Sequence, residues 1–132
     1  MQRIYLLANA VLYLGFAAWC SLSPDTTSAA LGLGLSTPGG RSEYVTVYGG
    51  LEAGIAVFWL IAALRRDLRA AGVLLAVCFY GAIIAWRSAT LALIPGIGGT
   101  TYAFAAFEWL LGLWGLAVWR LANSRGSLHS AA

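Results

Sequence analysis

Apolar residues fill four long stretches of this chain, and polar residues fall almost entirely between them. The stretches run at about residues 4–22, 43–64, 70–94 and 102–121. Each holds roughly 19 residues or more, and at about 1.5 Å per residue each reaches the ~30 Å of a bilayer's hydrocarbon core. The pattern predicts an all-α, polytopic membrane protein: four transmembrane helices in an antiparallel bundle over residues 1–122, with a polar cytoplasmic tail at 123–132.

The links differ in character. Ser23-Pro24-Asp25 has the form of a helix start, with Ser as cap and Pro in the first turn. Leucines at 31, 33 and 35 do not follow one helical face, so residues 23–42 are expected to hold a short interfacial helix or a loop, ending in a Pro-Gly-Gly turn. Arg65-Arg66-Asp67-Leu68-Arg69 makes a tight basic turn between the second and third helices. Residues 95–101, Pro-Gly-Ile-Gly-Gly-Thr-Thr, make an uncharged one. A cleaved leader is not expected, because Trp19 and Cys20 stand where small residues would be needed and three more apolar stretches follow.

Composition agrees with the pattern. Of 132 residues 61% are hydrophobic and 10% charged, against about 25% charged in a soluble domain. The net charge of +3 comes from Arg alone. Arg3, Arg65, Arg66, Arg69, Arg120 and Arg125 fall on one side of a four-pass chain, with Asp25, Arg41 and Glu43 on the other. Cytoplasmic loops carry the excess of basic residues, which places both termini in the cytoplasm of a bacterial inner membrane. Such a distribution offers no basic face to nucleic acid. Cys20 and Cys78 lie in apolar stretches without metal-ligand spacing, and the single His129 is in the tail. No metal, haem or other cofactor is expected, and soluble-enzyme motifs are lacking.

Three charges interrupt the apolar stretches: Glu52, Arg87 and Glu108. An ionised group near a bilayer centre costs about 2.5–3.5 kcal/mol on insertion scales. Counted along ideal helices, Glu52 and Glu108 both stand about 18 Å above the inner boundary, and Arg87 about 25 Å with a side chain that reaches back. All three are expected to converge in the outer half of the bundle, the guanidinium binding a carboxylate through a fork of donors and the surplus acid leaving a proton shared in the site. Glu52 and Glu108 then form a candidate acid–base pair, with Arg87 as the group that binds a polar head. Tyr44 and Tyr48 precede Glu52 by eight and four residues and are expected on its face, with Gly49 beside them as ligand-binding positions. Gly49, Gly50 and Gly54, and Gly112 and Gly115, permit close helix approach or leave room for a ligand.

At Glu43-Tyr-Val-Thr-Val-Tyr48-Gly49-Gly50-Leu-Glu52-Ala-Gly54 the chain resembles a bacterial family of short four-helix membrane proteins of unknown function, related to the DoxX-like group. In that family a Pro-containing loop leads to a Tyr-Gly-Gly at the start of helix two. An Arg follows late in helix three and a Glu early in helix four. Tyr48, Gly49, Gly50, Arg87 and Glu108 match that pattern, over nearly the whole chain. An Arg that often precedes the Tyr by three residues is replaced here by Val45. The resemblance implies the fold and the membrane location and supplies no reaction.

Three functions fit these features. The first is a site for a lipophilic small molecule, with or without acid–base processing. The second is an accessory subunit of a larger membrane complex or a homo-oligomer, and the third a proton-coupled small transporter. The bilayer is the partner common to all three.

Overall fold

The computed structural model describes residues 1–129, the side chains of 125–129 excepted, so His129 and the end of the expected tail lie outside the described side chains. The chain is helical: α1 Gln2–Leu22, α2 Pro24–Ala30, α3 Pro38–Tyr44, α4 Glu52–Leu64, α5 Arg69–Leu93 and α6 Gly99–His129. A π-helical segment, Val45–Leu51, joins α3 to α4 without a break, and a single 3-10 turn, Arg66–Leu68, leads into α5. By length and composition four of these stretches can cross a membrane: Gln2–Leu22, Pro38–Leu64, Arg66–Leu93 and Gly99–Ser124.

The breaks between helices have local causes. The residue before a proline disfavours helical torsions. Ser23, before Pro24, has φ −136° and ends α1, and Pro24 then opens α2 with its fixed φ. Ile94, before Pro95, is extended at φ −106° and ψ 113° and ends α5. Gly96 follows at φ +79°, which a side chain would resist. After α4, Arg65 turns extended, and its guanidinium bonds Asp67 at 2.9 Å within the turn.

The Pro-Gly-Gly at 38–40 is not a turn. Thr37 is extended at φ −129° and its Oγ1 accepts a bond from the Gly40 N–H at 3.0 Å. With a cap and a proline at the first position, the second long helix begins at Pro38 instead of 43. Of the helix or loop expected between the first two long stretches, a short helix, α2, is present after Ser23, and an Asp25–Arg41 ion pair ties it to α3. The last helix likewise begins at Gly99 and continues to His129, beyond the expected bounds of 102 and 121.

Packing joins the helices in two close pairs, α1 with α4 and α5 with α6, with lighter contact between the pairs. Small residues let the backbones approach. A Cβ on Gly72 would stand 2.7 Å from Ala62 Cβ, and one on Gly112 would stand 2.6 Å from Ile84 Cδ1. The core alternates Ala10, Ala56, Ala63 and Ala76 with the fully buried Tyr5, Trp59 and Tyr80. Trp59 stacks on Tyr80 at 6.3 Å with the planes 6° apart, and Tyr13 meets Trp59 edge-on at 5.1 Å. Such ring pairs add about 0.5–1.5 kcal/mol beyond the area they bury. One hydrogen-bond chain crosses the core: the Tyr80 hydroxyl donates to Asn9 Oδ1 at 2.6 Å, and Asn9 Nδ2 donates to the Tyr5 carbonyl at 2.8 Å. The Tyr5 hydroxyl in turn donates to the Leu111 carbonyl at 3.2 Å. Asn9, the one strongly polar residue of the first apolar stretch, is fully buried and accepts across the helix boundary.

Candidate functional site

Side chains from both helix pairs, together with Leu31, line a cavity of about 350 Å³. Its volume lies in the range of small-molecule sites. Arg87 of α5 and Glu108 of α6 meet on its wall. Arg87 Nε donates to Glu108 Oε2 at 3.0 Å and Nη2 donates to Oε1 at 2.8 Å, a two-pronged pair whose geometry only a guanidinium offers. The Glu108 side chain is 16% exposed and that of Arg87 34%. The pair is therefore shielded and still reachable from the cavity.

Glu52 lines the same cavity from the opposite helix pair, together with Tyr48. It opens α4 immediately after the π segment and is half-buried. Among the described residues it has no hydrogen bond and no ion pair, whereas Glu108 has both. The expected trio is thus a pair and a separate acid around one space. Arg87 points both of its bonded nitrogens at Glu108, so it does not bridge the two carboxylates.

The π segment changes the expected face of helix two. An i→i+5 turn carries more than four residues, so positions eight apart no longer superpose across it. Tyr48 remains in the cavity wall. Tyr44 is turned away and buried: its hydroxyl donates to Cys20 Sγ on α1 at 3.5 Å, and its ring stacks on Tyr48 at 4.7 Å. Gly49 also leaves the site. It is buried against α1, where a Cβ would stand 2.3 Å from Ser21 Oγ. Tyr44 and Gly49 are therefore contacts between α1 and the second long helix, not cavity positions. Gly112 and Gly115 are close-approach glycines too, whereas Gly50 and Gly54 have nothing within 4 Å of an added Cβ.

The rest of the wall is aromatic and aliphatic. Helix α1 contributes Leu12, Tyr13 and Phe16. From α5 come Phe79, Tyr80 and Ile83, and from α6 Phe104, Phe107 and Leu111. Leu31, just past α2, closes one side. Of these aromatics only Tyr80 is placed by sequence on a charge's face, with Ile84, Arg87 and Leu91; the others were not singled out, although the signal existed. Residues 104 and 111 are four before and three after Glu108, and Ile83 and Tyr80 are four and seven before Arg87, so they share those charges' faces. No group of His, Cys, Asp and Glu among the described residues is arranged to hold a metal ion.

Compared with protein-family models, curated proteins and solved structures, the chain matches none, so the geometry of the cavity alone carries the functional argument.

Proposed function

We propose that this chain is a bacterial inner-membrane protein, a four-helix antiparallel bundle with both termini in the cytoplasm, that holds a lipophilic small molecule between its helix pairs. Four helices of sufficient length and apolarity support the membrane reading. So do the large side chains left on the outside, among them Trp86 at 75% and Leu93 at 80% exposure. The resemblance of residues 43–54 to the DoxX-like group belongs to the same proposal.

One observation carries the ligand reading: an aromatic cavity of about 350 Å³ contains a carboxyl group, Glu52, with no hydrogen bond or ion pair among the described residues, and a neutralised Arg87–Glu108 pair in the same wall. A bundle core built only for stability would pair that acid or replace it. In this reading Glu52 anchors the polar end of the ligand and is the group positioned to exchange a proton with it. Glu108 fixes the Arg87 guanidinium, and Tyr48 supplies a hydroxyl in the same cavity wall. The test is extraction of the protein, purified in a mild uncharged detergent, with organic solvent followed by mass spectrometry. A stoichiometric lipophilic compound recovered from the wild type and lost from Glu52→Gln supports the reading. Identical extracts from the two proteins refute it.

A further inference from the structure

We infer that the cavity selects a lipophilic monocation: a tertiary or quaternary ammonium, or a like cation, carrying bulky apolar groups. The inference rests on the ligand reading above and narrows it to a charge. Counting formal charges on the wall, Arg87 and Glu108 cancel within their two-pronged pair, and Glu52 remains. The full-charge state of the site is therefore one negative. Among the described residues Arg87 is the one basic side chain in the wall, and its Nε and Nη2 are engaged by Glu108. An anionic head would find the cation's charge already neutralised by Glu108 and would meet Glu52 as a like charge. A cation meets an unpaired carboxylate and aromatic rings whose faces attract positive charge. Phe16, Phe104 and Phe107 supply such rings and also accept the apolar substituents. A small metal ion is disfavoured because the rest of the described wall offers only tyrosine hydroxyls among hydrocarbon, not the roughly six or more oxygen ligands a hard cation takes, and no acidic group among the described residues is arranged to hold one.

The experiment is equilibrium dialysis of the purified protein in uncharged maltoside detergent, corrected by a detergent-only blank. Three probes are run separately: tetraphenylphosphonium, tetraphenylborate, which has nearly the same shape and the opposite charge, and the neutral quinone menadione. The expected result is saturable binding of the phosphonium, at least tenfold tighter than that of the borate. Glu52→Gln weakens phosphonium binding at least tenfold, and Glu43→Gln, an exposed acid outside the cavity, leaves it unchanged. Size-exclusion profiles confirm that the variants fold, and the comparison of the two tetraphenyl ions needs no variant. Phosphonium binding no tighter than borate binding, or unchanged in Glu52→Gln, overturns the inference. Saturable menadione binding without phosphonium binding overturns the cation and leaves the lipophile reading in place. Failure of all three probes, with nothing recovered by solvent extraction, removes both.

Discussion

Arg87 reaches from α5 to α6 and places Nε and Nη2 on the two carboxylate oxygens of Glu108, at 3.0 and 2.8 Å. Both side chains are partly shielded, so neither charge is well solvated if the other is removed. Removing one partner of a shielded pair leaves an uncompensated charge, which costs about 3–5 kcal/mol. With Arg87 one-third exposed, about 3 kcal/mol is expected for Arg87→Met or Glu108→Gln. The double variant should recover most of that loss. Thermal unfolding in detergent across the four proteins measures the coupling directly.

Glu52 predicts the opposite. It has no partner among the described residues, so Glu52→Gln removes a charge without stranding another. The expected change in stability is within about 0.5 kcal/mol, or a gain, as for substitutions that break no network. A melting temperature that falls as far as that of Glu108→Gln would show that Glu52 is bound into the fold and is not held for a ligand.

The core chain gives a second cycle. Tyr80→Phe deletes the hydroxyl that donates to Asn9 Oδ1 at 2.6 Å and leaves that oxygen buried. The cost should be about 0.6–1.7 kcal/mol, the scale for hydrogen bonds between membrane helices. Asn9→Leu combined with Tyr80→Phe removes both ends and should cost less than the sum of the singles. Strict additivity in the unfolding data would mean that the bond contributes nothing.

The glycines divide by what an added methyl would meet. At Gly115 a Cβ would stand 2.4 Å from the Tyr5 hydroxyl and 2.9 Å from Cζ of the same ring. Tyr5 is fully buried and bonded to Leu111, so it cannot yield freely. Gly115→Ala should destabilise by about 1–3 kcal/mol. At Gly54 nothing lies within 4 Å, and Gly54→Ala should be neutral or stabilise by up to about 1 kcal/mol through helix propensity. Equal melting temperatures for the two variants would contradict the helix approach described here.

The four long helices were legible in the sequence because hydropathy over some twenty residues is a strong, local signal. Their ends were less so. Pro38-Gly39-Gly40 has the composition of a turn, and only the conformation of Thr37 makes it a helix start. The convergence of Arg87 and Glu108 followed from counting residues along straight helices, since α5 and α6 are regular. The same count misplaced Tyr44, because the π segment at Val45–Leu51 leaves no mark in sequence beyond a pair of glycines. The guanidinium was expected to bind a carboxylate through a fork, without a choice between the two acids. Which acid it took depends on side-chain reach between helix pairs, which composition does not encode. Asn9 was visible as a lone polar residue, but its partner Tyr80 stands 71 positions away and could be found only in three dimensions.

The most direct measurement is a crystal structure of the protein grown from a lipid mesophase. It should show Arg87 and Glu108 joined by two hydrogen bonds, Glu52 without a protein partner, and a non-protein molecule lying between Glu52 and Phe104. A structure in which Glu52, Arg87 and Glu108 face different sides of the bundle, or in which side chains fill the space between the helix pairs, would contradict the account.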